Sequence, residues 1–252
     1  MQQAFVCAEI GSSWVVGLAE DNEAKNLDGY AAIMKDNVQF CNSNEEARDA
    51  FTELTGFMKD VLSKYTAWEK TVPREKFGKA VASSAMLTYL SFVLQPLSYG
   101  IFYDFLGGNL MASFMQARTL LELLAKCYLA DTEEIEPAHD GFFQNRLAFI
   151  ENSRKITESI QALGLNSFEL YKELSADWVH MARLEKLVKA VSERHRFPTY
   201  GIIVPINYDE QDIPDIIELT QCVKKLRELV SHTVESWEKS RRFPAGDICF
   251  FQ

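Results

Sequence analysis

The sequence predicts a mainly α-helical fold: a bundle of five to seven helices with a small β or irregular decoration at the N-terminus. Apolar residues recur at three- and four-residue spacing over several long stretches, and residues typical of helix caps stand at their ends. A segment near the middle of the chain is apolar on nearly every face. Because such a helix must be surrounded by others, this segment is the expected centre of the bundle.

We divide the chain into an N-terminal arm or small β-hairpin, residues 1–40, and a single helical domain, residues 41–252. Near the start, the runs AFVCAEI and SWVVGLA are short and rich in valine and aromatic residues, and a Gly-Ser-Ser turn separates them. This pattern is typical of a hairpin or an extended arm. The later run YAAIMKDNVQF fits a helix or a strand equally well.

Local signals predict where the first long helices begin and end. Ser43 and Glu46 have the spacing of a capping box, so a long amphipathic helix should begin there and continue to Pro73. Pro73 suits the first turn of the next helix, which we expect to be kinked or broken near Pro96. The glycine pair at Gly107 should end it.

The stretch 80–103 contains no charged residue and is long enough to cross a bilayer. However, serine, threonine, glutamine, proline and glycine dilute its hydrophobicity. The helix that follows carries charges at mid-length, where a lipid-facing charge is costly. We therefore expect a buried helix of a soluble protein rather than a membrane hairpin.

The central helix is predicted over residues 107–134. Arg118, Glu122 and Lys126 are four residues apart along it, so they form a single ionic stripe. If this stripe is buried with the rest of the helix, neighbouring helices must provide polar partners.

Three further elements complete the predicted bundle. A helix capped by Asp140 should end at Gly164, and a capping box at Asn166 should begin another. Residues 197–212 form a turn-rich loop or flap. The last long helix begins near Asp212 and carries a coiled-coil-like seam, which packs within the chain or forms a homodimer: Ile216, Leu219, Val223, Leu226, Val230, Thr233 and Trp237.

Charge and cysteine content limit the compartment and the partners. The net charge is −10 and the isoelectric point about 5.0, which disfavours nucleic acid and anionic membranes as partners. The five cysteines are odd in number and include no CxxC pair, so we expect a reducing, cytoplasmic location without disulfides or zinc fingers. The N-terminus lacks the basic region of a signal peptide.

Several enzyme classes lack their usual sequence motifs. The chain contains no Walker A loop, no GxGxxG, no HExxH and no GxSxG. Nucleotide hydrolysis, dinucleotide redox chemistry and serine-hydrolase chemistry therefore have no motif support, and no cofactor is predicted.

Segments between residues 117 and 180 resemble a known group of proteins. QARTLLELLAKCYLA, FFQNR and YKELSADWVH together resemble uncharacterised prokaryotic all-helical proteins related to HEPN-type domains and abortive-infection proteins. The resemblance implies a helical bundle, frequent dimerisation and, in some HEPN members, metal-independent RNA cleavage. Carried over residue by residue, it implies five candidate site residues: Arg118, Glu122, Arg146, Ser175 and His180.

Two arrangements of these residues remain open. Arg118 and Glu122 could bond Ser175 and His180 across a shared cavity, or they could form a buried network that fixes the register of the helices. We favour the network, because Arg/Glu pairs one helical turn apart usually stabilise rather than catalyse.

The HEPN nuclease motif places an arginine four to six residues before a histidine. His180 lacks such an arginine, whereas Arg227 and His232 have the spacing and are the weaker candidate pair. Because chance alone produces such spacing readily in a chain of this length, a solvated face of an amphipathic helix is the favoured interpretation of that pair.

A metal site in the bundle is a third possibility. Glu136 and His139, like Asp177 and His180, have the i, i+3 spacing of di-iron bundle ligands, and Glu122 could supply a bridging carboxylate. Surface or capping roles are favoured for all of these side chains, so no metal is predicted.

The leading function hypothesis is therefore non-enzymatic: an intracellular helical interaction or scaffold protein of HEPN-like type, homodimeric and with a possible protein partner. A defence or toxin–antitoxin setting is the expected context. A metal-independent RNase and a metal-binding bundle enzyme are the alternatives.

Overall fold

The computed structural model describes residues 5–10, 13–18, 23–65, 69, 73–82, 84–132, 156–176 and 207–240. Within these residues the chain forms eight helices and a two-stranded hairpin, which confirms the predicted mainly α fold. Strands β1 (Phe5–Ile10) and β2 (Ser13–Leu18) are antiparallel, with Phe5 opposite Leu18. The hairpin predicted at the N-terminus is therefore present.

The helices are numbered along the chain. A π-helical turn follows α2 directly, at Val61–Tyr65, and another lies inside α4, at Leu90–Leu94. The bounds of the helices are α1 Glu23–Ser43, α2 Glu45–Asp60, α3 Arg74–Ala82, α4 Ala85–Leu106, α5 Leu110–Thr132, α6 Ile156–Ala162, α7 Ser167–Ala176 and α8 Ile213–Ser240.

Helix α2 begins one residue later than the predicted capping box. Ser43 is the last residue of α1, and its hydroxyl donates to the carbonyl of Phe40. Asn44 is the N-cap instead, and its side-chain oxygen accepts from the amide of Ala47 at 3.0 Å. The run YAAIMKDNVQF, which fitted a helix or a strand, belongs to α1, so α1 occupies the position where a capping serine was expected.

The helix predicted from Pro73 onward is interrupted at Ser84, not at Pro96. Ser84 is extended (φ −147°, ψ 125°) and caps α4. At Pro96 the chain stays helical because the π turn at Leu90–Leu94 directly precedes it. A π turn changes the hydrogen-bond pattern, so the amide that proline lacks is not required there.

Helices α4 and α5 form an antiparallel hairpin. The predicted stop at Gly107 is confirmed, and Gly108 adopts the left-handed conformation (φ 72°) that reverses the chain. Helix α5 contacts α4, α6, α7 and α8, and most of its apolar side chains are buried. It is the central helix, as predicted.

A tight turn joins α6 to α7. Gly164, Leu165 and Asn166 all have positive φ values, of 70°, 44° and 56°. Gly164 occupies the predicted helix-terminating position. The carbonyl of Asn166 accepts the first helical hydrogen bond of α7, from Leu170.

Helix α8 packs within the chain through its predicted seam. Every residue of that seam is buried, mainly against α2 and α5. The segment before α8 is held by Tyr208, which donates its amide to the side-chain oxygen of Asn37 in α1 and its hydroxyl to the carbonyl of Phe105 in α4. Asp209 and Asp212 form a capping box at the start, as expected near Asp212.

Helix α4 is the one candidate membrane span among the described residues, by length and composition. One of its faces lies in the core of the bundle, where Leu87, Leu94, Ile101 and Phe105 are almost fully buried. The helix predicted as buried is therefore buried on one face.

Helix α1 begins at Glu23 and packs on α2 and α4, while the proposed division at residue 40 stays a prediction. Of the loop or flap predicted over residues 197–212, the structure describes residues 207–212, which end in a short 3-10 helix, Glu210–Asp212. Residues 197–206 and the cap at Asp140 lie outside the described residues.

Candidate functional site

Arg118 and Glu122 form an ion pair on the surface of α5 that faces α7. The guanidinium Nε donates to Glu122 Oε1 at 2.8 Å, and both side chains are about three-quarters covered. Lys126, the third member of the predicted stripe, is half-buried one turn further along. The four-residue spacing thus produces the expected pair between Arg118 and Glu122.

Arg118 of this pair contacts Tyr171 on the neighbouring helix α7. Arg118 Nη2 donates to the Tyr171 hydroxyl at 3.2 Å, and the guanidinium carbon lies 5.2 Å from the centre of the tyrosine ring. The same side chain therefore makes a hydrogen bond and a cation–π contact. Together they join α5 to α7.

Ser175 bonds its own helix rather than Arg118 or Glu122. It is buried, and its hydroxyl donates to the carbonyl of Tyr171, one turn earlier, at 2.5 Å. Of the five residues implied by the resemblance, Arg118 and Glu122 lie together at the α5–α7 contact, and Ser175 is bonded within α7. Arg146 and His180 lie outside the described residues.

Arg227 on α8 lies in a polar cavity of about 400 Å³ between α2 and α8. Its Nε donates to Asp60 at 2.5 Å and its Nη1 to Glu53 at 3.0 Å. Asp60 also pairs with Lys64 at 3.1 Å. The other lining residues are Tyr65, Lys224, Glu228 and Ser231.

The charges in this cavity balance. Burial alone would raise the pKa of Asp60, but the hydrogen bonds and charges of Arg227 and Lys64 outweigh it and hold that pKa below its usual value. Burial would likewise lower the pKa of Arg227, yet Asp60 and Glu53 raise it. An incoming phosphate would have to displace these two carboxylates from Arg227.

His232 does not share this cavity with Arg227. It is exposed on α8, and five residues correspond to about 140° around a helix axis. The two side chains therefore leave the helix on different faces. The spacing that resembles the nuclease motif places Arg227 against α2 and His232 in solvent.

A second cavity, of about 430 Å³, lies between α8 and the turn before α7. Leu165, Leu170 and Leu229 provide its apolar lining. Lys225 spans it and binds Glu173 through both carboxylate oxygens, at 2.7 and 2.6 Å. This ion pair is another interhelical contact.

The described parts of the chain contain neither a cluster of metal-binding side chains nor a reactive thiol. No group of three or more His, Cys, Asp or Glu side chains there is placed to hold a metal ion. Glu136, His139 and Asp177 lie outside those parts. Burial raises the pKa of Cys41 to about 11 and those of Cys127 and Cys222 to about 12, so these three buried thiols stay protonated.

Sequence reasoning did not identify the partners of Arg227. Glu53 and Asp60 are seven residues apart, and so lie on one face of α2. Gly56 lies between them, and a Cβ there would be 3.0 Å from Arg227 Nη1. A glycine inside a helix between two same-face carboxylates is the signal that could have predicted this site.

Comparison with known proteins gives no match to a family model, to a curated protein or to a solved structure.

Proposed function

We propose that this chain is an intracellular helical interaction protein of HEPN-like type that acts by binding other proteins, as a homodimer, rather than by catalysis. A role in a defence or toxin–antitoxin system fits the resemblance of residues 117–180. The observation that carries the proposal is the engagement of Arg118, whose guanidinium is held by Glu122 and Tyr171 in the contact between α5 and α7.

A catalytic arginine must be able to reach its substrate. Arg118 instead spans two helices, and Ser175, its expected neighbour in a shared site, hydrogen bonds with the backbone of α7. Arg118 thus serves the packing of α7 on α5, and the Ser175 hydroxyl is satisfied within α7. This supports a structural role for the candidate residues carried over from the HEPN resemblance.

Arg227 supports the same conclusion. Two carboxylates neutralise it in the cavity between α2 and α8, whereas phosphodiester binding requires uncompensated positive charge. The net charge of −10 adds a repulsive field toward RNA.

The test is an RNA cleavage assay with the purified full-length chain, with and without divalent metal. Single-stranded and structured RNA are incubated with the wild type, His180→Ala and His232→Ala, and cleavage products are resolved by electrophoresis. We expect no product above the protein-free control for any of the three proteins.

Cleavage by the wild type that is lost in either histidine variant, with the circular dichroism spectrum unchanged, would overturn the proposal in favour of a metal-independent RNase. Cleavage that appears only with added metal would instead favour a metal-dependent enzyme. A signal equal in the wild type and both variants indicates a contaminating nuclease, and repeated purification should remove it.

A further inference from the structure

The surface formed by α4 and the first two turns of α5 is nearly free of charge. Between residues 80 and 117 the sequence contains one charged residue, Asp104. That carboxylate accepts a hydrogen bond from the Gln116 side chain across the hairpin. The remaining exposed positions of this stretch are apolar, aromatic or uncharged polar residues.

Aromatic side chains follow the outer side of α4 and continue onto its neighbours. We call this surface the aromatic face and define it as Phe51, Phe77, Phe92, Tyr99, Phe102 and Tyr103. Ring centres along it are 5.6 Å apart for Phe51 and Phe102, 5.8 Å for Phe102 and Tyr103, and 6.2 Å for Tyr103 and Tyr99. Phe77 of α3 meets Phe92 at 6.5 Å.

Two members of the aromatic face are largely exposed, and the other four are half-buried. Phe92 is 59% and Tyr103 is 51% exposed, and Met115 of α5, next to Gln116, is 47% exposed. Because an aromatic side chain can bury about 150–250 Å², Phe92 and Tyr103 alone offer about 200 Å². With the half-buried neighbours, the apolar area reaches several hundred Å², the scale of a functional patch.

This apolar area is comparable with the apolar area that each subunit buries in a stable two-fold interface. A stable interface buries about 800 Å² on each partner, of which about 60% is apolar. The apolar share, roughly 500 Å² per partner, is comparable with what the aromatic face and its rim can supply.

The charge distribution favours a second copy of the chain as the partner. Two copies that each carry −10 repel one another, and this repulsion is strongest where carboxylates approach within a Debye length of about 8 Å. An uncharged surface avoids such close approaches. In an isologous dimer the same patch serves both subunits, so an uncharged aromatic surface is complementary to itself.

We propose that the aromatic face is the isologous interface between two copies of this chain. The inference rests on the proposed function, of which dimerisation is part, and assigns that dimerisation to α4 and its neighbours. Aromatic rings with edges and faces both accessible pack well against their symmetry-related copies. Phe92 and Tyr103 are the central anchors, because they are the most exposed members of the face.

A bilayer is the competing occupant of such a surface. The opposite side of α4 carries Leu94, Ile101 and Phe105, each fully buried in the bundle. Insertion of α4 would expose these residues' partners to water, so the helix cannot enter a membrane without loss of the core.

The experiment is sedimentation equilibrium of the full-length chain at micromolar concentrations, for the wild type and for Phe92→Glu/Tyr103→Glu. The control is Leu165→Glu, which introduces the same charge at a residue that is 57% exposed but lies on the turn before α7. Tyr103→Glu alone provides a milder second variant, and circular dichroism verifies the fold of each.

We expect a dimer for the wild type and for Leu165→Glu, and a dissociation constant at least about a hundredfold higher for the double variant, as for loss of interface hot spots. A dimer unaffected by the double variant would overturn the assigned interface but leave the proposed dimer intact. A wild-type monomer would overturn both.

A vesicle-binding assay tests whether the aromatic face binds a lipid membrane instead of a second copy of the chain. The wild type and the double variant are sedimented with neutral and with anionic phospholipid vesicles. We expect neither protein to sediment with either kind. Binding that requires Phe92 and Tyr103 would assign the aromatic face to a lipid surface and overturn the inference.

Discussion

Trp237 donates its indole N–H to Asp131 Oδ2 at 3.0 Å and thereby joins the last turn of α8 to the last turn of α5. The same carboxylate accepts from the backbone amides of Ala85 and Met86 at 2.9 and 3.1 Å, and from the Ser84 hydroxyl. One side chain thus caps α4 and holds α8. Such charge-assisted hydrogen bonds are among the stronger ones in proteins.

Asp131→Asn should therefore destabilise the protein by about 3 kcal/mol, because the amide keeps the shape but loses charge and acceptor capacity toward several donors. Trp237→Phe removes one donor and should cost about 1.5 kcal/mol. Urea unfolding followed by circular dichroism measures both. Asp36→Asn, on the exposed side of α1, is the control, and an equal loss there would contradict the role of Asp131.

Gly100 and Gly78 should respond in opposite directions to replacement by alanine. In an exposed helix this change normally stabilises by about 1 kcal/mol, and a Cβ at Gly78 would meet nothing within 4 Å. At Gly100 the Cβ would lie 1.8 Å from Gln116 Oε1. Gln116 would have to move and release Asp104.

We expect Gly78→Ala to raise the midpoint of thermal unfolding and Gly100→Ala to lower it. The latter should cost about 1 kcal/mol, since loss of a hydrogen bond to the Asp104 carboxylate exceeds the gain in helix propensity. A rise for both variants would show that α4 and α5 are not packed as closely as described.

The low pKa of Asp60 predicts a contribution to stability that depends on pH. A carboxyl group whose pKa is lower in the folded state stabilises the fold above its unfolded value of about 3.9, and the contribution is lost as the pH falls through the folded value. Asp60→Asn should therefore cost about 1 kcal/mol at neutral pH. Below about pH 4 the wild type and the variant should converge.

The measurement is the urea midpoint of both proteins between neutral and acidic pH. Glu169→Gln serves as the control, because the pair of Glu169 with Lys172 is largely solvent-exposed and should contribute less than about 0.5 kcal/mol at neutral pH. A difference between wild type and Asp60→Asn that stays constant with pH would contradict the prediction.

The sequence predicts those parts of the fold that depend on local residue patterns, such as the buried face of a helix and the positions of helix ends. The seam of α8 from Ile216 to Trp237 follows three- and four-residue steps, and all of it is buried. The chain reversal at Gly108 and the turn at Gly164 both use a left-handed backbone conformation that glycine adopts without strain.

Other features depend on partners that are distant in the sequence. The helix break at Ser84 is stabilised by Asp131, which lies 47 residues later in the sequence. The local sequence therefore does not mark Ser84 as a break and points to Pro96 instead. Likewise, the sequence left open whether Arg118 bonds Ser175 or belongs to a network between helices, and in the structure it bonds Tyr171 of α7. Helix register across an interface is set by packing of the whole bundle.

The most direct test of a structural role for the candidate residues is a double-mutant cycle between Arg118 and Tyr171, measured as free energies of unfolding. Arg118→Met, Tyr171→Leu and the double variant remove the hydrogen bond and the ring contact while keeping apolar bulk. We predict a coupling of about 1 kcal/mol, as expected for a cation–π contact with a hydrogen bond. Additive effects of the two substitutions would contradict the account and leave Arg118 available to line a site.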